Sequence, residues 1–215
     1  TPLVIIFITT LIIGSGVGGF LVLREKQELS SQETMLQKTA DIPKFIQTDF
    51  IDLSKIAAIS KFRSGSGHDF SSGSGETCRS MKHYFNVQRT NQVEQLINEN
   101  RGMAPLPDSK TDIPIYSPVD GKIISIESDQ FGKQIYIQPD SYSKFTIRLF
   151  HIYPLLDIKK GSQIKAGQKI GAIGQYQNTD IAITQGRGKY FSYFEVMPNN
   201  IFAKYQALGV KSRKE

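Results

Sequence analysis

The chain has 215 residues, 39% of them apolar, with 18 Gly and 9 Pro, which suits one globular domain of about 150–200 residues plus an extension. Its net charge of +6 is modest, and no basic run interleaved with aromatics marks a nucleic-acid binder; the positive balance favours anionic surfaces such as lipid headgroups or wall polymers. The single cysteine, Cys78, excludes an intrachain disulfide framework.

Leu3 to Leu23 (LVIIFITTLIIGSGVGGFLVL) runs 21 residues without a charge, long enough to span a bilayer as a helix. A cleaved signal peptide has a shorter apolar region and a small-residue cleavage site, so a retained single-pass anchor is expected over 1–23. Gly14 and Gly18 form a GxxxG pair that can pack two such helices. Residues 24–40 are polar and charged and read as a stalk. Asp52 can then cap a helix over 52–62, where Leu53, Ile56 and Ala57 recur at three and four. Residues 41–113 as a whole are expected to be helical and loop, with an inserted excursion from 71 that holds the helix-like NQVEQLINENRG and the Pro-rich MAPLPDSKTDIP. Lys82 in SMK precedes the strand-rich region, whereas a biotin-carrying lysine sits on a hairpin tip, so a carrier role is disfavoured.

From Ile115 onward the pattern is β, and 114–205 is expected to be one β domain followed by a basic tail, 206–215. IYSPVDGKIISIE reads as a strand, a Pro-Val-Asp-Gly turn region and a second, alternating strand. In KFTIRLFHIY the alternation puts Phe145, Ile147, Leu149, His151 and Tyr153 on one face. Gly161, Gly167, Gly171 and Gly174 permit sharp corners between short strands. TDIAIT and KYFSYFEVM complete the set. No βαβ alternation appears, so a mainly β sandwich or barrel-like sheet is expected.

The order of IYSPVDGKI, LFHIY, IKKGSQIKAGQKIGAIG and YFSYFEV resembles the lysostaphin-type zinc metallopeptidases (peptidase M23-like), which cut the peptide cross-bridges of cell-wall peptidoglycan. The resemblance implies the duplicated hybrid motif, a β-sandwich (barrel-sandwich hybrid), over about 114–197, with a fragment near 65–70. It also implies a zinc held by three protein ligands, with a fourth position for water. In that family one His and one Asp come from H-x-G-x-D, and the third ligand is the second His of an H-x-H last strand. The first His of that pair and another in Y-x-H assist catalysis. On this pattern GSGHDF lays Gly65 on the first ligand, Gly67 on the glycine and Asp69 on the aspartate. FSYFEV lays Phe191 and Tyr193 on the two histidines, and LFHIY keeps His151.

Of the implied groups only Asp69 and His151 remain, and one carboxylate does not hold zinc. The resemblance therefore implies a relic cleft of Asp69, His151, Phe191, Tyr193 and Glu195. Phe191 would fill the emptied metal site, and the Tyr193 hydroxyl would meet His151 or Asp69. The alternative is a rebuilt metal site of His68, Asp69, His83 and His151, set against plainer roles for each histidine in turns and core. The reading is a membrane-anchored, extracytoplasmic peptidase-like domain that has lost its catalytic zinc and acts in binding or regulation at the cell envelope, with no cofactor, or with zinc if active. Its partners would be a cell-envelope polymer or a membrane protein, with no nucleic acid. An active zinc metalloendopeptidase with a rearranged site and a structural module of a membrane complex are the alternatives.

Overall fold

The computed structural model describes residues 42–89, 95, 99, 112–129, 131–174 and 177–215. The expected anchor and stalk lie outside these residues, and among the described residues no helix is long and apolar enough to cross a membrane. Residues 43–215 form one compact unit. Its strands are β1 (Ile56–Ile59), β2 (His83–Val87), β3 (Ile113–Tyr116), β4 (Gly121–Asp129), β5 (Gly132–Pro139), β6 (Phe145–Pro154), β7 (Gln163–Ile164), β8 (Lys169–Ile173), β9 (Thr179–Gln185) and β10 (Lys189–Phe191), and a helix α1 (Asn199–Ala207) follows.

Every pairing is antiparallel, so the expected mainly β architecture is what the chain adopts. The sheet runs β1-β2-β9-β6-β5-β4-β7, with β10 alongside the far end of β9 and with β8 joining β3 to the end of β6. Alternate residues face the core: Ile135 and Ile137 on β5, Ile147 and Leu149 on β6, Ile181 and Ile183 on β9, and Phe85 and Val87 on β2 are all buried. Phe50 and Tyr193 close this layer, with the Phe50 ring 4.8 Å from Phe85 and 5.8 Å from Tyr193. Each such side chain withdrawn from water contributes about 1.5–3 kcal/mol.

Several expectations are corrected. The helix over 52–62 is only a 3-10 turn, Leu53–Lys55. Asp52 does cap it, accepting from the Ser54 amide at 2.9 Å, but the β-branched Ile56 and Ile59 then pair with Val87 and Phe85 as β1. The excursion from 71 contains β2, which lies between β1 and β9 inside the sheet. Gln95 and Glu99 are helical, as NQVEQLINENRG suggested, and the rest of that segment lies outside the described residues. The fragment 65–70 is a loop, not a strand. It is part of the loop 64–80, whose ends are drawn together where the Ser80 amide donates to the Ser64 carbonyl at 3.0 Å. The Asp69 carboxylate turns the chain by accepting from the Ser71 amide at 2.8 Å.

The last strand ends at Phe191. Ser192 and Glu195 form a capping box, with the Ser192 amide donating to Glu195 Oε2 at 2.9 Å, and this starts a 3-10 turn over Tyr193–Val196. Phe191, Tyr193 and Glu195 therefore share no strand face. The 206–215 tail is mostly exposed and is tied to the domain at two points. Arg213 donates to the Phe194 and Met197 carbonyls and lies over the Phe202 ring, and Lys61 pairs with Glu215 at 2.9 Å.

β6 carries the irregularity that matters most. Ile135 lies opposite Leu149, but Lys133 lies opposite Ile152, so two steps on β5 match three on β6. The extra residue is accommodated at Phe150–His151, where His151 adopts φ 62°, the left-handed region. Side chains from β9 and the loop before it hold this bulge. Thr179 Oγ1 donates to the Phe150 carbonyl at 2.8 Å, and Gln177 Nε2 to the His151 carbonyl at 2.9 Å. Gly132 is needed opposite, since its φ is +98° and a Cβ there would meet the Ile152 carbonyl oxygen at 2.7 Å. The bulge breaks the expected alternation: Leu149 stays in the core while His151 turns to the other side of the sheet.

Candidate functional site

On the face opposite the core, Tyr84 of β2 and Phe150 of β6 flank Asp180 of β9 in register. Lys82, two residues before Tyr84, points to the same side. Its ammonium donates to Asp180 Oδ2 at 2.7 Å, with the two side chains 0% and 2% exposed. The same ammonium lies 4.0 Å above the Phe150 ring, 4.9 Å from Tyr84 and 5.2 Å from Phe70. A charge buried this deeply needs a counter-ion and polarisable walls, and it has both.

The pair is part of a longer chain of groups. His151 Nε2 is 3.4 Å from Asp180 Oδ2, and its Nδ1 is 3.1 Å from Asp129 Oδ2 on the β4–β5 hairpin. His68 Nε2 approaches the Lys82 ammonium at 3.4 Å from the opposite side. His68 and Phe70 arrive on the glycine- and serine-rich loop 64–80, which closes over the lysine. Gly67 in that loop has φ +73°, and a Cβ there would collide with the Tyr84 hydroxyl. Burial, and next the Asp180 carboxylate, push the Tyr84 hydroxyl above its ordinary range.

The structure brings His68 and His151 to this site and leaves the other sequence-derived candidates outside it. Asp69 is exposed, and its carboxylate is held below the usual range by the Ser71 amide and hydroxyl that it accepts from. Phe191 pairs with Ile183 on the core face and packs against Phe145 at 5.3 Å. Its neighbour Tyr190 faces the cleft instead, 5.5 Å from Phe70. Tyr193 is buried among Phe50, Phe85, Phe194 and Tyr205, and burial holds its hydroxyl well above the ordinary value. The expected cluster of Asp69, His151, Phe191 and Tyr193 therefore does not form. Glu195 is taken up by the capping box.

His83 is the clearest correction to the rebuilt-site alternative. It shares its strand face with Phe85, opposite to Lys82 and Tyr84. Its Nδ1 donates to the Ser60 carbonyl at 2.9 Å, and its Nε2 accepts from the Ser192 hydroxyl at 2.9 Å. Phe62 stacks on one side, at 5.8 Å, and Phe194 packs at 4.5 Å. Burial lowers its pKa to about 4. It is a neutral core histidine with both nitrogens committed.

These residues do not fit a zinc ion. Among the described residues no group of three or more His, Cys, Asp or Glu side chains converges as ligands would. Where His68, Asp180 and His151 come nearest to converging, the Lys82 ammonium already stands among them. Asp180 and Asp129 were missed in the sequence, and Lys82 was weighed there only as a carrier lysine. The one available signal was a lone carboxylate in the otherwise uncharged strand TDIAIT.

Residues 103–200 match the family model of peptidase family M23. This segment is M23-like, as the resemblance implied, and it spans β3 to the start of α1. Loop 64–80 and Lys82 lie before it. No curated protein matches the chain. Solved structures to which it is similar include a zinc-containing peptidase from Vibrio cholerae (18% identity, 73% of this chain and 41% of that one, TM-score 0.45). Csd3 from Helicobacter pylori is another (14% identity, 77% and 42%, TM-score 0.48), as is a chain of the SpoIIQ–SpoIIIAH pore-forming complex (11% identity, 76% and 98%, TM-score 0.45). The chain spans 41% and 42% of the lengths of the first two.

Proposed function

We propose that this M23-like protein is a binding or regulatory module of the cell envelope in which an internal ion pair stands where a catalytic zinc would be held. In this reading residues 1–23 anchor it to a membrane, 24–40 are the stalk, and the β domain, a duplicated hybrid motif, lies on the extracytoplasmic side. Its partner is an envelope polymer or a membrane protein, and it works without a cofactor.

The observation that carries the reading is the Lys82 ammonium, 2.7 Å from Asp180 and 3.4 Å from His68 Nε2. A divalent ion about 4 Å from a fixed ammonium meets a repulsion of about 8 kcal/mol at an effective dielectric of about 20. Among the described residues Asp180 is the one carboxylate between the two histidines, and Lys82 already uses it. A zinc ligand set and this lysine exclude each other, and the lysine is fully buried and held by three aromatic rings.

The test is a metal count. The full chain, purified in detergent without chelator or nickel, should hold near zero zinc per chain by mass spectrometry, and added zinc should not raise it. One tightly bound zinc per chain would overturn the reading and make wall-peptide hydrolysis the next assay.

A further inference from the structure

We infer that the open face of the sheet carries an anion site built on Arg148, fitted to a carboxylate of a peptide ligand. This rests on the binding reading above and names the chemistry such a ligand would present. Arg148 stands in register between Tyr136 of β5 and Ala182 of β9, on the same face as Asp180. Its guanidinium carbon lies 4.6 Å from the Tyr136 ring, 4.9 Å from Phe70 and 5.1 Å from Phe150. Three aromatic faces hold the charged plane in place and keep water from much of it.

Among the described residues no acid pairs with this charge. Arg148 Nη2 donates to Gln134 Oε1 at 2.7 Å, and the guanidinium also interacts with the Tyr136 hydroxyl. Its Nε is shielded from solvent and has no partner. The two nearby acids are occupied: Asp180 by Lys82 and His151, and Glu127 by the Tyr136 hydroxyl at 2.7 Å. A half-buried guanidinium whose partners, Gln134 and Tyr136, are both neutral carries an uncompensated charge poised for a planar anion such as a carboxylate. Around the site the half-buried polar groups are uncharged, with Gln134 and Tyr136 on β5, Thr184 on β9 and Tyr190 on β10, which suits the amides of a peptide better than a densely charged polyanion. The carboxylate can be a chain end or an acidic side chain.

The test uses the full chain in detergent, titration calorimetry and three probes: acetyl-Lys-Ala-Ala with a free C-terminal carboxylate, the same peptide as its C-terminal amide, and acetyl-Ala-Glu-Ala-amide. A carboxylate-bearing probe should bind at least about tenfold more tightly than the neutral-ended peptide, the size expected of one charge-assisted hydrogen bond. Arg148→Gln should abolish that difference, and Arg148→Lys should keep part of it. Preference for the first probe identifies a chain end, and preference for the third a side chain; either supports the site. Equal binding of acid and amide, or no binding of any probe, overturns it. That comparison uses the unaltered protein, so it does not depend on a variant folding. The zinc count is a separate result: a zinc-free protein that ignores the carboxylate removes the Arg148 site and leaves the metal-free reading standing.

Discussion

The Lys82 ammonium and the Asp180 carboxylate, 98 positions apart in the chain, meet at 2.7 Å with neither exposed beyond 2%. Their meeting joins β9 to the chain at the start of β2, and through His68 and Phe70 it also secures the loop above them. One ammonium thus cross-links two strands and a loop, a structural part that a metal ion can also play.

Removing one partner should expose how much depends on the pair. Lys82→Met leaves Asp180 buried without its cation, and the expected loss is about 3–5 kcal/mol in unfolding free energy. Replacing both with apolar residues of similar volume, Lys82→Met with Asp180→Leu, should recover most of that loss. Urea denaturation of Lys82→Met, Asp180→Leu and the double variant measures it; additive losses in the double variant would mean that the two residues do not act as a pair.

His83 should make the fold acid-sensitive. Burial lowers its pKa from 6.5 to about 4, so between these values the unfolded chain binds the proton and the folded chain does not. Stability from this group is therefore complete above pH 6.5, falls as pH drops toward 4, and falls no further below it. The full change corresponds to about 3 kcal/mol. Chemical denaturation at pH 7, 5.5 and 4 should show the decline. His83→Asn should be less stable at pH 7 and have a flatter profile across the same window.

Gly132→Ala tests the bulge from the opposite strand. A side chain at φ +98°, with the Ile152 carbonyl oxygen 2.7 Å from its Cβ, should destabilise the fold by about 2–3 kcal/mol. A melting temperature unchanged from the parent would show that the β5–β6 pairing lacks this close approach.

Restoring the histidines that the family pattern calls for should fail to restore a metal site. Phe191→His with Tyr193→His places one ring beside Phe145 and the other among Phe50 and Tyr205, on the side of the sheet away from His68 and His151. Tyr193→His alone should cost about 3 kcal/mol or more through lost core packing. Zinc per chain should stay near zero in the double variant, and a stoichiometric zinc there would contradict the placement of both residues.

The strand run from Ile115 was legible because side chains alternate along it and Gly and Pro punctuate its turns. The M23 resemblance was legible for a related reason, since hairpins and glycine corners leave local patterns at fixed spacing. The segment 52–62 misled because three short apolar repeats fit a helix as well as a strand, and only pairing with Val87 and Phe85 decides between them. YFSYFEV misled because a capping box inside it ends the strand after Phe191.

The sequence by itself determined that this protein is mainly β, that its C-terminal half is M23-like, and that the family's histidine pair is absent from FSYFEV. Only the tertiary structure decided which side chains meet. A bulge turns His151 across the sheet, a one-residue difference in facing puts Tyr190 and not Phe191 in the cleft, and a strand from an unpromising segment delivers Lys82 to Asp180. Each outcome depends on the register between strands far apart in the chain. Register is set by the summed burial of both partners and by single bulges, and a one-residue shift moves every side chain to the opposite face. Local pattern reports which residues belong in a strand; it does not report which residue of a distant strand will stand beside them.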